Sequence, residues 1–436
     1  MPLANALLEK ISTNSEIIGI IGLGYVGLPL AVSFAEAGIQ VIGFDKSGEK
    51  VNKINSGENY IRDIRDAALR EVVNKIKLTA TTDFTRINEC DALLICVPTP
   101  LDKFRKPDMS YIESACLSIG QNMKAGTFIC LESTTYPTTT EDFMLPIIEK
   151  ESGLMQGVDF WLAYSPERVD PGNETFHTKN TPKVLGAMTP EGLEIGEKIY
   201  SKAIEKLHLV SSPKVAEMVK ILENTYRLVN ISLINELALL AGKMDINIWE
   251  VIEAAKTKPF GFQAFYPGPG IGGHCIPLDP FYLEHIAKKY DFELSMIHTA
   301  GHINMRMPHY MAVKIASALN KQGKAINGSR ILFLGVAYKP NIDDERESPA
   351  LEIIDIVAKK GGLVSYHDPY IPTVHTGRKL NLQSVELTPD VLGNSDVVVL
   401  TTNHAAFDVE FIQQHAKLIV DMRNMVKDAD NHVYKL

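Results

Sequence analysis

A glycine pattern near the amino terminus constrains the fold more than any other feature of this sequence. A β-branched run, residues 17–21, leads directly into Gly22-Leu-Gly24-Tyr25-Val26-Gly27, and a helical pattern follows through residue 37. A second strand-like run, residues 40–44, ends in Asp45. A strand, Gly-x-Gly-x-x-Gly, a helix, a strand and an acid in this order are typical of a dinucleotide-binding βαβ unit. The sequence therefore predicts an amino-terminal α/β domain with a parallel sheet.

Each glycine of this loop has a physical role in binding a dinucleotide. Gly22 makes the tight turn, Gly24 allows the pyrophosphate to come close, and Gly27 allows the helix to pack against the strand. The free N–H groups and the positive dipole end of the helix then face the phosphates. We predict that these glycines bind the cofactor together with Tyr25 and Val26, which lie between them.

The acid Asp45 indicates which dinucleotide binds. A carboxylate at this position accepts hydrogen bonds from the adenosine ribose hydroxyls and repels a 2′-phosphate, so it favours NAD over NADP. The adjacent Lys46 weakens this preference, because its positive charge would offset the repulsion.

Three further predicted strands end in polar residues. In a parallel sheet, such strand ends form the ligand crevice. The residues that follow strands 91–97, 127–131 and 161–164 include Thr99, Thr134 and Glu167. We predict that these three line the cofactor and substrate site. The alternative for each of them is a helix cap or a turn residue.

The carboxyl-terminal third repeats this scheme without the glycine fingerprint. Its predicted elements are a strand at 329–335, a helix at 349–360 and strands at 363–366, 396–400 and 417–420. Lys339 and Arg346 follow the first of these strands. Cations at the crevice of such a domain favour the diphosphate of a nucleotide as the ligand. The alternative is that both are surface cations in a solvated loop.

A helical region lies between the two predicted sheets. Apolar residues recur every three or four positions across residues 213–243, which predicts one long amphipathic helix. Such a helix can join two domains and also form a dimer face. Lys220 and Asn224 project from one side of it, because residues four apart lie on the same helix face. The alternative for this pair is an ordinary solvated face.

A glycine-rich loop follows this helix and ends in a cysteine. It reads Gly268-Pro-Gly-Ile-Gly-Gly-His-Cys275, and Asp279 comes four residues later. The thiol of Cys275 can act as a nucleophile where a nearby group makes it a thiolate. The alternative is an inert loop cysteine. Small buried core residues are predicted for the other four cysteines, which lie in or beside apolar segments: Cys90, Cys96, Cys116 and Cys130.

Composition argues against several classes of protein. The 436 residues are too many for one hydrophobic core and fit two or three domains. The formal net charge of −9 argues against nucleic acid as a partner. The cysteines form no CxxC pair, which is typical of a reducing cytosol, and no apolar run reaches the ~18 residues of a membrane helix. The amino terminus lacks a signal-peptide pattern and predicts a short amphipathic helix. We therefore expect a cytoplasmic protein without a membrane partner.

Together these motifs resemble those of one enzyme family. In chain order they are GLGYVGLP at 22–29, VPTP at 97–100, EST at 132–134, SPER at 165–168, Lys220-x3-Asn224, GGHC at 272–275 with Asp279, and Gly335-x3-Lys339 with Arg346. Over nearly its whole length the sequence is similar to the nucleotide-sugar 6-dehydrogenases, the family of UDP-glucose and GDP-mannose dehydrogenases. The resemblance implies an α/β fold with two Rossmann-like doubly wound parallel-sheet domains, joined by a central helical region with one long helix.

The resemblance also implies how the chain is divided and assembled. It places an NAD-binding domain at residues 1–208 and a helical domain for dimerisation and the catalytic loop at residues 209–312. A UDP-binding domain is expected at residues 313–436. The assembly implied is a homodimer or a higher homo-oligomer.

A reaction follows from the same resemblance. Members of this family oxidise the C6 alcohol of a nucleotide-linked sugar to a carboxylate, with two NAD per turnover and without metal. Lys220 and Asn224 are then expected to stabilise the developing oxyanion. Cys275 is expected to hold the sugar as a thiohemiacetal and then as a thioester. Asp279 or Glu167 is expected to activate the water that hydrolyses the thioester.

Two residues beside Cys275 keep structural alternatives. His274 is its direct neighbour on the loop, and neighbours on a loop seldom point at each other, so we expect a structural role for the imidazole. Asp279 can equally cap the helix that follows it.

The resemblance extends to the substrate. It assigns contacts with the UDP-sugar to Arg168, Tyr266, Gly268, Gly270, Gly272, Lys339 and Arg346. Residues 257–282 are most similar to bacterial UDP-N-acetylglucosamine 6-dehydrogenases, which make precursors of surface polysaccharides such as O-antigen. Leu278 stands where UDP-glucose dehydrogenases usually carry a lysine. Residues 256–265 lack the arginine that often reaches a neighbouring subunit's substrate. UDP-N-acetylglucosamine is therefore expected, with UDP-N-acetylgalactosamine, UDP-N-acetylmannosamine and UDP-glucose as alternatives.

Two other classes of protein remain as alternatives on sequence. A 3-hydroxyacid or 6-phosphogluconate type of dehydrogenase shares the amino-terminal domain, the long helix and Lys-x3-Asn, but lacks the cysteine loop and a second Rossmann-like domain. A non-catalytic nucleotide-binding protein could also contain two such domains. Intact Lys220, Asn224, Cys275 and Asp279 argue against this second alternative.

Overall fold

The chain divides into two units, each with its own parallel sheet. The computed structural model describes residues 2–61, 64–101, 106–170, 173, 175–273, 276–377 and 380–436. The first unit combines Met1–Glu223 with Phe281–Asp291, and the second combines Asn224–Pro280 with Phe292–Leu436. The division into three domains at residues 208 and 312 stays a prediction.

An eight-stranded sheet forms the centre of the first unit. Its strands are β1 (Ile17–Ile21), β2 (Gln40–Phe44), β3 (Leu78–Thr81), β4 (Ala92–Ile95), β5 (Thr127–Leu131), β6 (Phe160–Tyr164), β7 (Lys183–Ala187) and β8 (Leu207–Val210). They lie in the order β3-β2-β1-β4-β5-β6-β7-β8, and every neighbouring pair is parallel except β6 and β7. The strand order reverses between β1 and β4. Doubly wound sheets bind ligands outside the carboxyl ends of the strands at such a point.

Helices cover both faces of this sheet. They are α1 (Pro2–Ser12), α2 (Gly27–Glu36), α3 (Gly48–Asn55), α4 (Asp66–Asn74), α5 (Ser110–Asn122), α6 (Leu145–Ser152) and α7 (Pro190–Tyr200), with a π-helical turn at Thr139–Met144 and 3-10 turns at Phe84–Glu89 and Lys288–Tyr290. The strands are consequently apolar on both sides. In β1, Ile18 and Ile20 belong to the core on one face, while Ile17 and Ile21 pack into the core on the other.

Helix α8 (Pro213–Lys243) runs through the boundary between the units, so it contributes residues to both of them. The predicted helix at 213–243 is confirmed. The second unit adds α9 (Ile248–Lys256) and all the elements from α11 (Ser295–Lys321) to the carboxyl terminus, while α10 (Asp279–Ala287) again spans a unit boundary.

The second unit contains a five-stranded parallel sheet. Its elements are α11 (Ser295–Lys321), β9 (Arg330–Leu334), α12 (Pro349–Lys359), β10 (Leu363–His367), β11 (Thr373–His375), β12 (Asn381–Gln383), α13 (Pro389–Asn394), β13 (Val397–Leu400), α14 (Val409–His415), β14 (Ile419–Asp421) and β15 (Val433–Lys435). The sheet order is β10-β9-β13-β14-β15, and β11 and β12 form a separate antiparallel hairpin. Alternate residues of β9 and β13 pack into cores on the two faces.

The predicted fold class is confirmed, because each unit has a parallel sheet covered by helices. The predicted bounds of β1, β2 and β5 match the structure residue for residue. The amphipathic helix predicted at the amino terminus is α1, whose Ala4, Leu7 and Ile11 are buried. Strands β3, β7, β8 and β15 and the β11–β12 hairpin were not predicted. Among the described residues, no helix is long and apolar enough to cross a membrane.

Candidate active site

The glycine loop after β1 forms a tight cradle. Gly22 has a φ of +94°, and a Cβ on it would lie 2.7 Å from the carbonyl oxygen of Cys96. A Cβ on Gly27 would lie 1.9 Å from the carbonyl oxygen of Gly22. Both residues must therefore be glycine for the turn and for the packing of α2 to form. By contrast, no atom lies within 4 Å of the position of a Cβ on Gly24. This open side of the loop is where a pyrophosphate fits.

The other residues of this loop lie at the amino-terminal end of α2. Val26 directly precedes α2, and the side chain of Tyr25 is 53% exposed. The first backbone N–H groups of a helix lack partners within that helix, so they are available to an anion.

The glycine loop after β1 holds the side chain of Asp45 in place. Its Oδ2 accepts a hydrogen bond from the backbone N–H of Leu23 at 3.0 Å, and its Oδ1 accepts one from Ser47 N–H at 2.9 Å. The ammonium of Lys46 donates to Ser114 Oγ at 2.8 Å, on helix α5. Lys50 Nζ lies 3.7 Å from Asp45 Oδ2. The carboxylate thus has a fixed orientation beside the cradle, with two lysines close to it in sequence.

Thr99 and Thr134 lie in the loops after β4 and β5, which are neighbours in the sheet, and both are half-buried. The carbonyl oxygen of Thr99 accepts a hydrogen bond from the hydroxyl of Tyr282. Between the two loops, Ser133 Oγ donates to the carbonyl oxygen of Val97 at 2.7 Å. These contacts hold the two strand ends together at the edge of the crevice.

The loop after β5 is held to α8 by a buried carboxylate, which the sequence reasoning missed. Glu217 Oε2 accepts from Thr138 N–H at 2.6 Å, and its Oε1 accepts from the N–H and the hydroxyl of Thr140 at 3.0 Å and 2.8 Å. The side chain is completely buried, and burial raises the pKa of Glu217 to about 7. Glu217 lies one turn before Lys220 on α8.

Glu167 and Arg168 follow β6 and make different contacts. Glu167 Oε1 accepts hydrogen bonds from the backbone N–H groups of Arg168 at 2.7 Å and Val169 at 2.8 Å. The guanidinium of Arg168 pairs with Glu223, with Nη2 2.6 Å from Oε1, and donates to the carbonyl oxygen of Pro182 at 2.7 Å. The guanidinium of Arg168 therefore already has an acidic partner. The predicted contact with substrate would have to use the same guanidinium.

Lys220, Asn224 and Asp279 are all buried. Asn224 Nδ2 donates to Asp279 Oδ2 at 2.5 Å, and Asp279 is the first residue of α10. Asp279 therefore lies at a helix start, as the structural alternative predicted, and its catalytic role stays a prediction. Cys275, like His274, lies outside the described residues.

The glycines of the cysteine loop pack against protein atoms. The N–H of Gly268 donates to Asn235 Oδ1 at 3.0 Å, and a Cβ on Gly268 would lie 2.4 Å from Arg423 Nη1. A Cβ on Gly272 would lie 2.6 Å from the Cβ of Tyr338. Gly270 has a φ of +136°, which few side chains tolerate. Side chains of the second unit already require glycine at these positions, and the predicted contact of the glycines with substrate stays a prediction.

Tyr266 also has partners within the second unit. Its hydroxyl donates to Glu253 Oε1 at 2.8 Å, and its ring stacks on Trp249 with the ring centres 6.1 Å apart. Its side chain is 42% exposed. Tyr266 therefore braces the loop against α9, and its predicted contact with the sugar stays a prediction.

Three cations lie at the carboxyl ends of the second sheet. Lys339 and Arg346 lie in the segment between β9 and α12, and Arg346 forms a two-pronged pair with Asp344 at 2.8 Å and 2.6 Å. Arg423 lies two residues after the end of β14 and donates from Nε to the carbonyl oxygen of Thr401 at 2.8 Å. Burial lowers the pKa of Arg423 to about 10, so it is charged at neutral pH. The sequence reasoning missed Arg423, although its place just after a predicted strand, as for Glu167, would have selected it.

Three family models match consecutive parts of the chain. They are the NAD binding domain at residues 16–204, the central domain at residues 214–306 and the UDP binding domain at residues 332–428 of the UDP-glucose/GDP-mannose dehydrogenase family. Together they cover most of the sequence.

The chain belongs to the UDP-glucose/GDP-mannose dehydrogenase family. It is 37% identical to the UDP-N-acetyl-D-mannosamine dehydrogenase of Pyrococcus horikoshii, over 94% of this chain and 96% of that protein. It is 34% identical to a UDP-N-acetyl-D-glucosamine 6-dehydrogenase of Pseudomonas aeruginosa, over 89% of this chain and 91% of that protein. A solved structure of the Pyrococcus horikoshii enzyme superimposes with a TM-score of 0.87 at 35% identity, over 96% of this chain and 98% of that one.

Family membership confirms the predicted class of enzyme. This member of the UDP-glucose/GDP-mannose dehydrogenase family is an NAD-dependent oxidoreductase of nucleotide sugars. The open cradle at Gly24 and the fixed carboxylate of Asp45 fit NAD. The UDP binding domain matched at residues 332–428 decides against the hydroxyacid type of dehydrogenase. The similarity to dehydrogenases over nearly the whole chain decides against a non-catalytic nucleotide-binding protein. Among the described residues, no group of three or more His, Cys, Asp or Glu side chains is arranged to hold a metal ion.

Proposed function

We propose that this enzyme oxidises the C6 alcohol of UDP-N-acetylglucosamine to the uronic acid, which supplies a precursor of a surface polysaccharide. The observation that carries the proposal is the buried contact of Asn224 with Asp279, four residues after Cys275. It joins the oxyanion-stabilising pair on α8 to the segment that bears the nucleophile. The alternative substrate is UDP-N-acetylmannosamine, which the name of one relative favours as strongly as the name of another favours UDP-N-acetylglucosamine.

In the first oxidation, the C6 hydroxyl loses a proton and its carbon loses a hydride. NAD, when bound in the Gly22–Gly27 cradle, supplies the hydride acceptor, and the reaction uses it twice. Lys220 stabilises the negative charge that develops on the C6 oxygen, because a buried ammonium acts on an oxyanion with little screening by water. Asn224 has its amide oriented by Asp279, so it donates to the same oxygen with little reorganisation.

Cys275 then makes the second oxidation possible. Its thiolate adds to the C6 aldehyde and gives a thiohemiacetal, whose oxyanion expels hydride far more readily than an aldehyde does. The product is a thioester on Cys275. Water activated by Asp279 or Glu167 hydrolyses the thioester and releases the carboxylate.

The second unit binds the nucleotide in this proposal. Lys339, Arg346 and Arg423 offer positive charge at the ends of the sheet strands, and a diphosphate carries the complementary charge. Arg346 already pairs with Asp344, so binding of a phosphate would exchange one anionic partner for another.

The exposed face of α8 supports a homodimer. Four apolar residues of α8 within the second unit lie on one helix face, and each is 41–52% exposed. They are Tyr226, Leu233, Leu237 and Leu240. One helix face with so much exposed apolar surface is typical of an interface with a second copy. We assign the enzyme to the reducing cytoplasm, because its four described cysteines are buried and unpaired.

Substrate identity is tested by following NADH formation with UDP-N-acetylglucosamine, UDP-N-acetylmannosamine, UDP-N-acetylgalactosamine, UDP-glucose and GDP-mannose. The expected result is the highest kcat/KM with UDP-N-acetylglucosamine. A higher value with UDP-N-acetylmannosamine would replace the substrate and leave the reaction type intact. No turnover of any C6 alcohol in the panel would overturn the proposed reaction.

A further inference from the structure

A buried lysine lies at the catalytic edge of the first sheet because one strand runs backwards. Lys183 is the first residue of β7, which is antiparallel to β6. Its position is therefore at the carboxyl ends of the parallel strands, where Glu132 directly follows β5. Their side chains are only 5% and 0% exposed. A fully buried ion pair at a ligand crevice is costly to desolvate, so its presence there calls for a physical reason.

The ammonium of Lys183 is shared between two carboxylates. Its Nζ donates to Glu132 Oε2 at 2.5 Å and to the carbonyl oxygen of Pro166 at 3.3 Å, and lies 3.7 Å from Glu167 Oε2. The hydroxyl of Tyr200 donates to the other oxygen of Glu132. Glu132 is thus saturated by buried partners, while Glu167, 17% exposed, is the member of the cluster that reaches the crevice.

One oxygen of the Glu167 carboxylate is fixed by hydrogen bonds, and the other faces a positive charge. Its Oε1 accepts two backbone hydrogen bonds, from Arg168 and Val169, and its Oε2 faces Lys183. An opposite charge within about 4–6 Å of a carboxylate favours its ionised form. The guanidinium of Arg168 is turned away and pairs with Glu223.

Three neutral titratable side chains pack against the cluster. They are Cys96, Cys130 and Tyr200, and burial holds the pKa of each of them well above its usual value. The charged neighbours of Glu167 next to them are Arg168 and Glu223, which pair with each other. Burial favours the neutral amine of Lys183, but the charges of Glu132 and Glu167 outweigh it and raise the pKa of Lys183 above its usual value. Among the described residues, the cation that faces Glu167 is therefore Lys183.

We propose that Lys183 is a positioning residue that holds Glu167 ionised and oriented as the proton acceptor in thioester hydrolysis, and that Glu132 sets how much of the lysine's charge Glu167 receives. The inference rests on the proposed function. In the step concerned, a water oxygen bonds to the C6 carbonyl carbon, Glu167 takes a proton of that water, and the C–S bond breaks with its electron pair on the Cys275 sulfur. Hydrolysis thus returns Cys275 as a thiolate, and no oxidant is needed.

Two variants change, in opposite directions, the positive charge that acts on Glu167. Glu132→Gln removes the competing carboxylate and keeps hydrogen bonds, because its carbonyl can accept from Lys183 and its amide can donate to Tyr200. Lys183 then acts on Glu167 alone, so Glu167 receives more of its positive charge. Lys183→Met combined with Glu132→Gln removes the whole buried ion pair without leaving an unpaired charge, and Glu167 then no longer faces this ammonium. A merely structural role of Lys183 gives no such pair of opposite shifts.

The measurement is the rate at which the covalent adduct on the enzyme disappears in a single turnover, followed by intact-protein mass after acid quench over the acid and neutral pH range. We expect the acid limb of this rate to move down by roughly half a pH unit in Glu132→Gln and up by about one pH unit in the double variant. If the acid limbs of both variants coincide with that of the wild-type enzyme, or shift in the same direction, the inference is overturned. If the double variant does not fold, the downward shift in Glu132→Gln decides.

Glu167→Gln separates this inference from the proposed function. Loss of the acid limb in Glu167→Gln, with no movement in the other two variants, would reject the role of Lys183 and retain Glu167 as the base. An acid limb that persists unchanged in Glu167→Gln would reject Glu167 as the base. Absence of any covalent adduct in the wild-type enzyme would reject the thioester route itself.

Discussion

Single residues in this enzyme act through the loops that they hold in place. Asp45, which is predicted to bind the ribose, also fixes the cradle through Leu23 N–H. Glu217 holds the loop after β5 against α8, one turn from Lys220. In both cases a carboxylate orients backbone groups, so its removal has a local and a chemical consequence.

Replacement of Asp45 by alanine is expected to weaken NAD binding at least tenfold and to reduce discrimination against NADP, because a charged hydrogen-bond partner contributes about 1.5–3 kcal/mol. Asp45→Asn is the matched control: it keeps an acceptor for Leu23 N–H and removes only the charge that repels a 2′-phosphate. Kd values for NAD and NADP, measured by fluorescence or calorimetry, check both variants. Unchanged values for both cofactors would show that Asp45 does not meet the ribose.

The buried carboxyl of Glu217 gives a pH dependence of stability with a definite sign. Its pKa is raised to about 7 in the folded protein, so the folded state retains a proton that the unfolded state releases at lower pH. Stability from this group is full at acid pH and is lost as pH rises through about 7, by at most about 3 kcal/mol. The difference in thermal midpoint between Glu217→Gln and the wild-type enzyme should therefore shift in favour of the variant as the pH rises from acid to neutral. A difference that does not vary with pH would mean that Glu217 titrates normally.

Cys275 is the residue on which the chemistry depends most. Cys275→Ala is expected to abolish formation of the sugar carboxylate while NAD still binds, because no second nucleophile is available in the proposed route. The check is product analysis by mass spectrometry beside an NAD titration of the same variant. Full turnover by Cys275→Ala would reject the covalent intermediate.

Whole elements differ in how far their local sequence specifies them. Strands β1, β2 and β5 are short β-branched or apolar runs bounded by glycine or polar residues, and they form where predicted. Strand β7 is equally buried, yet it runs antiparallel to β6, a direction that its own residues do not indicate. Strand β8 is an edge strand with exposed positions, so it lacks the apolar signal of a central strand.

The apolar stripe on α8 makes a prediction at the scale of an element. Leu237→Glu is expected to shift the enzyme from dimer toward monomer, because a charge in the centre of an apolar interface is not desolvated without a large cost. Glu236→Ala, one position away on the same helix, is the control for a change of charge at an exposed position beside the stripe. Sedimentation velocity measures the outcome, and an unchanged dimer in Leu237→Glu would place the interface elsewhere.

At the scale of the whole molecule, the chain supplies one sheet for a dinucleotide and another for a nucleotide. The second sheet repeats the architecture of the first without its glycine fingerprint and with cations at its strand ends. The proposed four-electron reaction requires both, since in it the sugar stays attached while the dinucleotide is used twice. This argument gives a stoichiometry that can be measured.

Two NADH are expected for each sugar carboxylate formed. The check is parallel quantification of NADH by absorbance and of the acid by mass spectrometry under conditions of full substrate conversion. A ratio of one would mean that the reaction stops at the aldehyde or takes place at a secondary alcohol.

The sequence by itself determined the fold class, the cofactor and the family. These depend on local patterns, such as the loop of Gly22, Gly24 and Gly27, whose steric requirements are the same in any chain that adopts the turn. It also selected Lys220, Asn224 and Asp279, because spacing on a helix and a place at a helix start can be read from neighbours in sequence.

Only the tertiary structure decided which distant groups meet. Lys183 and Glu132 are 51 residues apart, and no local pattern connects them, because their contact depends on the reversal of β7 beside β6. The same holds for Gly268, which the sequence suggested would face a ligand and which the fold places against Arg423. Backbone conformation is encoded by short-range sterics, whereas the pairing of buried charges and the filling of space beside a glycine are set by packing between elements far apart in the chain.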